Sequence, residues 1–281
     1  MLGAIIGDMV GSVYEFHPIK RKDFDIFNMR NRMTDDSLLT IAVAKTLLKH
    51  YPIKYDGASL KTLQKDLVDE FVRTWRAHPG AGWGGMFFSW CRKASNGAIE
   101  PYQSYGNGSA MRISPVAWVA NSEEELKLLS KAVTDITHNH PEGEKGAEAV
   151  AMCIFMALHG SSKEEIKARM IKDYYLEIEH LNFDELVRDY EFSEICQKSC
   201  PQAIYCFLIS NDLEDAVRNC VAIGGDCDTT GAMAGAIAEA YYQKDKISSF
   251  EDRFLYMMID PDVEQLIKNF HKTIGSHKFD K

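Results

Sequence analysis

Apolar residues recur along this chain every three or four positions, the spacing that places side chains on one face of an α-helix. In residues 37–50, for example, Leu38, Ile41, Ala42 and Leu48 share a face. The same spacing predicts further helices over residues 2–15, 60–77, 122–137, 144–158, 201–210, 213–223, 229–242 and 260–271. We find no alternation with the period of two that is typical of strands. The pattern therefore predicts an all-α fold.

Three glycines interrupt the apolar first segment at a spacing of four residues: Gly3, Gly7 and Gly11. That spacing places them on one face of the predicted helix. Each glycine costs a helix interior about 1 kcal/mol relative to alanine, so three of them require an offsetting gain. We expect another helix to approach this face closely, because glycine has no side chain to hold it away.

Composition and charge restrict the classes of function. The chain has 281 residues, of which 46% are hydrophobic and 26% charged, as is ordinary for a soluble globular protein. The net charge of −9 argues against general nucleic-acid binding, since phosphate backbones are also negative. No apolar run approaches the roughly 20 residues of a membrane span, and the first residues lack the basic leader of a signal peptide. We therefore expect a cytoplasmic protein, acting as a monomer.

Seven cysteines are scattered along the chain without a C-x-x-C pair. Their odd number is typical of reduced cytosolic thiols rather than of a disulfide framework. Cys196 and Cys200 can share a helix face and would offer half of a zinc site. Because free cysteine is usually a small core residue, we interpret the cysteines as buried thiols.

Two acidic clusters stand where predicted helices begin. We define the first acidic cluster as Thr34-Asp35-Asp36 and the second as Asp226-Cys227-Asp228-Thr229. Each alone resembles an ordinary helix start, with a capping hydroxyl and acids favoured by the helix dipole. The second follows Gly224-Gly225, which suits a backbone that approaches a ligand closely. Hard divalent cations prefer carboxylate and hydroxyl oxygens, so the pair of clusters predicts a dinuclear metal site at helix N-termini.

Three further features are candidates for chemistry, each with an ordinary alternative. The loop Tyr105-Gly106-Asn107-Gly108 is either a simple turn or a glycine-rich cradle for a phosphate. His138 is either the end of a helix or a hydrogen-bonding residue of a pocket. Glu15 is either a surface acid or an active-site carboxylate. The residues alone leave these alternatives open.

In combination, these segments resemble the ADP-ribosylglycohydrolase family, of the dinitrogenase-reductase-activating glycohydrolase type. The resemblance runs from Gly3 to Tyr242 and rests on short motifs whose order is specific. They are the runs from Gly7 to Glu15, from Thr34 to Ser37, from Tyr105 to Gly108, Thr137-His138, and from Gly224 to Thr229. The resemblance implies a single ADP-ribosylglycohydrolase-like domain over residues 1–281, a compact orthogonal helical bundle.

The resemblance also implies roles for individual residues. The ligands of two Mg²⁺ or Mn²⁺ ions would be Thr34, Asp35, Asp36, Asp226, Asp228 and Thr229. The ADP-ribose moiety would be bound by Ser104, Tyr105, Gly106, Asn107, Gly108 and His138. The catalytic carboxylates would be Glu15, Asp35 and Asp228. One departure is Cys227, where the family usually has threonine, and residues 174–198 match no motif.

We therefore expect a metal-dependent hydrolase that releases ADP-ribose from an arginine- or serine-linked side chain, or from a related conjugate. Its partner would be an ADP-ribosylated protein or another ADP-ribose conjugate. The form of the first motif that ends in Tyr14-Glu15 favours an oxygen-linked substrate. The alternatives are a non-catalytic ADP-ribose-binding relative, another two-metal hydrolase such as a phosphatase, and a helical interaction protein whose acids only cap helices.

Overall fold

The structure, a computed structural model, describes residues 1–276 and 278–279. Over these residues it contains no strand, and 3₁₀ segments lie at Asn107–Ser109 and Leu176–His180. The α-helices are α1 Leu2–Gly11, α2 Asp35–His50, α3 Gly57–Ala77, α4 Gly85–Ala94, α5 Ser114–Val119, α6 Glu123–Thr134, α7 Pro141–Leu158, α8 Lys163–Asp173, α9 Phe183–Asp189, α10 Cys196–Leu208, α11 Leu213–Ile223, α12 Cys227–Tyr242, α13 Ser249–Met258 and α14 Pro261–Thr273. The predicted all-α fold is confirmed. None of the helices in the described part of the chain is long and apolar enough to span a membrane.

The pair α1 and α12 forms the centre of the fold. A Cβ atom built on Gly3 would overlap with the carbonyl of Gly235, and one built on Gly7 would overlap with that of Gly231. The partner residue number falls as the α1 number rises, so the two helices run antiparallel. The close helix approach predicted from the glycine spacing is confirmed. Around the pair, α2, α7, α10 and α11 pack on α12, whose residues 227–240 are all buried.

A buried carboxylate ties the two central helices at the end far from the acidic clusters. Glu239 on α12 accepts hydrogen bonds from the backbone N–H of Gly3 at 2.7 Å and from the α-amino group of Met1 at 2.5 Å. Lys278 Nζ lies 3.1 Å from the other Glu239 oxygen. Burial alone would raise the pKa of Glu239, but Lys278 and the Met1 ammonium outweigh it and lower that pKa. The carboxylate is therefore ionised and paired with positive charge.

Some helix bounds differ from the sequence predictions. α1 ends at Gly11 rather than at residue 15, and the chain then turns through residues 12–16. This turn brings Glu15 to the wall of the cavity described below. The short helices α5, of six residues, and α13, of ten, were not predicted. Both are shorter than the window of about 11–18 residues over which helical periodicity is readable.

The cysteines are buried and free, as the sequence interpretation held. Cys200 packs against Met233 with their sulfur atoms 3.8 Å apart, and Cys196 Sγ lies 3.1 Å from the carbonyl oxygen of Gly106. Neither thiol belongs to a group of potential metal ligands among the described residues. The described residues therefore offer no further ligands that would complete a zinc site at Cys196 and Cys200.

Replacing Gly7 with alanine tests the contact between α1 and α12. The added methyl would overlap with the Gly231 carbonyl, and backbone cannot turn aside as a side chain can. We expect Gly7→Ala to lower the free energy of unfolding, measured in urea, by at least the roughly 1–3 kcal/mol typical of an overpacked core.

Gly57→Ala is the matched control, because a Cβ there would meet nothing within 4 Å in the first turn of α3. Its stability should be unchanged or higher by about 0.4–1 kcal/mol. Equal stability of the two variants would contradict the proposed tight crossing.

Candidate active site

The two acidic clusters meet beside the Gly11 end of the central helix pair. Carboxylate oxygens of Asp8, Asp36 and Asp228 lie within 4.8 Å of one another, and so do those of Glu15, Asp226 and Asp228. Asp228 belongs to both groups and joins them. Because α1, α2 and α12 pack together here, the starts of α2 and α12 lie side by side. The structure thus brings together the two clusters that the sequence analysis paired.

Asp8, a fully buried acid in the apolar helix α1, holds the first acidic cluster in place. Its carboxylate accepts hydrogen bonds from Thr34 N at 2.9 Å, Thr34 Oγ1 at 2.6 Å and Ser37 N at 3.0 Å. The Ser37 hydroxyl donates a further bond. Asp8 therefore positions the start of α2. Asp8 was not predicted as a site residue, although a single acid in a ten-residue apolar helix is a readable signal.

The turn before the second acidic cluster depends on two glycines. Gly224-Gly225 has φ angles of +71° and +70°, in the left-handed region that other residues rarely adopt. The turn places Asp226 against Asn107, whose side-chain nitrogen donates to Asp226 Oδ2 at 2.6 Å. Cys227 faces the other way, because its Sγ lies 3.3 Å from the carbonyl oxygen of Gly11. Its thiol therefore packs against α1 and not among the carboxylates.

Burial and crowding make these acids hard to ionise together. Burial, reinforced by neighbouring carboxylates, raises the pKa of Asp36 and of Asp228 well above the usual range. Burial also raises the pKa of Glu15 to about 8 and that of Asp226 to about 6. Asp36 Oδ1 is buried without a hydrogen-bond partner among the described residues. A divalent cation would remove this repulsion, since oppositely charged neighbours favour the ionised form of a carboxyl group.

One open cavity extends from these acids to the glycine-rich loop. Its wall includes most of the predicted site residues: Glu15, Thr34, Asp35, Asp36, Ser104, Gly106, Asn107, Gly108, His138, Asp226, Asp228 and Thr229. Tyr105 is the exception, because its side chain is 47% exposed and packs beside the ring of His140, with centroids 5.1 Å apart. The predicted contact of Tyr105 with a ligand therefore has no support from its position.

A stretch that no sequence motif covers holds the glycine-rich loop. The backbone N–H of Asn107 donates to Glu194 O at 2.8 Å, and that of Cys196 donates to Tyr105 O at 3.0 Å. These bonds fix the shape of the loop, so residues 194–196 contribute to the cavity through their backbone. No side-chain pattern in this stretch could have indicated that role.

A buried arginine orients His138. Arg112 is 1% exposed, and its guanidinium carbon lies 4.6 Å from the centroid of the Phe71 ring. Arg112 Nη2 donates to Thr137 Oγ1 at 2.6 Å, and the same hydroxyl lies 2.7 Å from His138 Nδ1. We assign the hydroxyl proton to the bond with His138, since the contact with Thr134 O is longer, at 3.5 Å. His138 Nδ1 therefore accepts, and the proton of the ring is on Nε2.

His138 thus presents a neutral donor at the cavity wall. Burial lowers the pKa of His138 well below its usual value, and the charge of Arg112 lowers it further. Nε2 lies 3.2 Å from the position of a Cβ built on Gly108. A neutral imidazole with a proton on Nε2 donates a hydrogen bond to oxygens of a phosphate or a sugar. Arg112 was not predicted as a site residue, although a lone arginine in the apolar residues 110–120 is a readable signal.

Comparisons with known proteins identify relatives over most of the chain. A family model described as ADP-ribosylglycohydrolase matches residues 1–276. The mouse protein named ADP-ribosylhydrolase ARH3 is 24% identical over 318 residues, covering 88% of this chain and 84% of that protein. The protein named ADP-ribosylarginine hydrolase Tri1, from Pseudomonas putida (strain GB-1), is 26% identical over 86% of this chain and 69% of its own.

A solved structure described as an ADP-ribosylglycohydrolase-related protein complex shares the fold. It superposes with a TM-score of 0.73 at 23% identity, covering 98% of this chain and 97% of that one.

Replacing Thr137 with valine tests the orientation of His138. Valine keeps the branched shape but removes the hydroxyl that links Arg112 to the imidazole. We expect Thr137→Val to give a mixture of the two neutral tautomers of His138, measured from ¹⁵N chemical shifts of the ring. Thr134→Val, one turn away, is the control and should leave Nε2 protonated. An unchanged tautomer in Thr137→Val would contradict the assignment.

Proposed function

The chain belongs to the ADP-ribosylglycohydrolase family, and we propose that it hydrolyses the bond between the anomeric carbon of ADP-ribose and an acceptor group. One observation carries the proposal. Glu15 and the aspartates of both acidic clusters line the same cavity as the glycine-rich loop and His138. This layout suits a substrate with a glycosidic bond at one end of a ribose and a negatively charged diphosphate beyond it.

The acidic end of the cavity fits two divalent cations. The acids form two sets of three, and Asp228 belongs to both sets. One oxygen of Asp36 is buried without a hydrogen-bond partner among the described residues. Mg²⁺ and Mn²⁺ prefer such oxygen ligands. We propose as ligands Thr34, Asp35, Asp36, Asp226, Asp228 and Thr229. When bound, the ions would supply Lewis acidity for the ribose hydroxyls and for a water molecule.

We assign the proton transfers to the carboxyl groups of Glu15, Asp35 and Asp228. In the proposed reaction, water attacks the anomeric carbon and the bond from that carbon to the acceptor atom breaks. One carboxylate takes a proton from the water, and another carboxyl group gives a proton to the leaving acceptor. Because Glu15 is only half-buried, at the mouth of the cavity, we assign it to the acceptor side and Asp35 or Asp228 to the water.

The part of the cavity lined by the glycine-rich loop and His138 would hold the rest of ADP-ribose. Gly108 lets a ligand approach the backbone closely, and the Nε2–H of His138 offers a hydrogen bond to a phosphate or ribose oxygen. The guanidinium of Arg112 adds positive charge behind His138. We propose an arginine- or serine-linked protein side chain as the acceptor. The name of Tri1 specifies ADP-ribosylarginine, whereas that of ARH3 specifies no linkage.

Release of free ADP-ribose from a panel of arginine-, serine- and nucleotide-linked substrates tests the proposed reaction. We expect release from an arginine- or serine-linked substrate in Mg²⁺ or Mn²⁺ and none in chelator. Asp35→Ala should abolish turnover, because it removes a proposed ligand and catalytic carboxylate. Tight binding of ADP-ribose without release from any substrate would instead identify a non-catalytic binding protein, and wild-type rates in Asp35→Ala would refute the metal-centred scheme.

Replacing Asp36 with asparagine tests the proposed metal ligands without an activity assay. The change removes one charge from a repelling group, so the thermal midpoint in EDTA should rise above that of the wild type. The stabilisation by added Mg²⁺, a measure of binding to the folded state, should shrink. Asp69→Asn, at an exposed position of α3, should change neither quantity. A wild-type midpoint that does not respond to millimolar Mg²⁺ or Mn²⁺ would contradict the assignment.

A further inference from the structure

A second open groove adjoins the acidic end of the cavity. Glu15 and Phe16 line both spaces, and the second continues over residues 188–192 to Gly225. We call it the side groove; the residues that matter here are Phe16, Lys20, Arg188, Glu191 and Phe192. It meets the cavity at Glu15, on the side that we assign to the acceptor.

Two exposed phenylalanines form a wall of the side groove. Phe16 is 70% exposed and Phe192 is 45% exposed. Their rings stack, with centroids 5.9 Å apart and 28° between the ring planes. An exposed aromatic pair beside a cavity is typical of a recognition surface. The faces of such rings attract cations, because the π-electrons carry partial negative charge.

The basic side chains of the side groove already have partners within the protein, whereas one of its acidic side chains forms no ion pair with the described residues. Lys20 Nζ donates to two backbone carbonyl oxygens at 2.7 and 2.6 Å, and Arg188 pairs with Asp189 at 2.8 Å. Glu191 is exposed, next to Phe192 in the chain, and forms no ion pair with the described residues. An exposed carboxylate that forms no ion pair with the described residues therefore lines the same groove as the aromatic wall. That combination is complementary to a lysine or arginine side chain.

We propose that the side groove binds the polypeptide around the modified residue of an ADP-ribosylated protein, and that it recognises a basic side chain close to that residue. The proposal rests on the proposed function, in which the acceptor departs next to Glu15. Because Glu15 borders both spaces, the acceptor chain continues from the cavity into the groove. A basic side chain there stacks on Phe16 and Phe192 and pairs with Glu191. A nucleic-acid acceptor would place phosphates against the same carboxylates.

The test compares ADP-ribose conjugates that share one linkage: a small conjugate without polypeptide, a peptide with lysines beside the modified residue, and the same peptide with glutamates there. The wild type should show a lower KM for the lysine peptide than for the glutamate peptide. Glu191→Gln and Phe192→Ala should each raise KM for the lysine peptide by about three- to five-fold, the range of one exposed cation contact. Turnover at saturation and KM for the small conjugate should stay at wild-type values.

Glu185→Gln and Phe88→Ala are matched controls, since each removes an exposed acid or aromatic ring outside the side groove. Neither should change KM for any conjugate. Hydrolysis of the small conjugate with equal KM for both peptides would overturn the groove proposal and leave the proposed function standing. The same holds if Phe192→Ala raises KM for all conjugates alike. No release from any conjugate would overturn both proposals.

Discussion

The backbone contact between α1 and α12 sets the geometry of the whole site. At the Gly3 end, the helices are held by Glu239, and at the Gly11 end the backbone of Cys227 and Asp228 packs directly on α1. Because no side chain intervenes, Asp8 on α1 and Asp228 on α12 come within reach of each other. The start of α2 is then fixed on Asp8 by hydrogen bonds. Side chains far apart in the chain are thereby held as one group by backbone that cannot slide.

The same contact gathers more negative charge than a buried site readily accepts. Asp36 and Asp228 resist ionisation, whereas Asp8 accepts hydrogen bonds from both Thr34 and Ser37. Active sites commonly keep such unfavourable arrangements, because the charge acts on a ligand and not on the fold. Glu239, at the far end of the same helix pair, is ionised because Lys278 and the Met1 ammonium lie against it. Burial thus has opposite consequences for the acids at the two ends of the pair.

Local patterns in the sequence explain how much could be predicted. Helices as long as α2 and α3 show clear periodicity, and the spacing of Gly3, Gly7 and Gly11 indicated their close partner. The acidic clusters could be paired because both begin helices and carry the same ligand atoms. Asp8 and Arg112 each left a signal in the sequence, as a lone charge in an apolar stretch, but their partners are set by contacts made only in three dimensions. The backbone of residues 194–196 left no such signal. The family resemblance indicated a loop that does line the cavity, but it could not show that Tyr105 lies outside the cavity wall.

One short segment, residues 190–196, contacts both the glycine-rich loop and the side groove. Its backbone holds the glycine-rich loop at Glu194 and Cys196, while Glu191 and Phe192 line the side groove. Insertions or deletions there would disturb the loop together with the groove, whereas replacement of the outward side chains would leave the loop unchanged. The segment can therefore diversify in its side chains but not in its length. This restricts the routes by which proteins with this architecture could evolve, or be engineered, towards new acceptors.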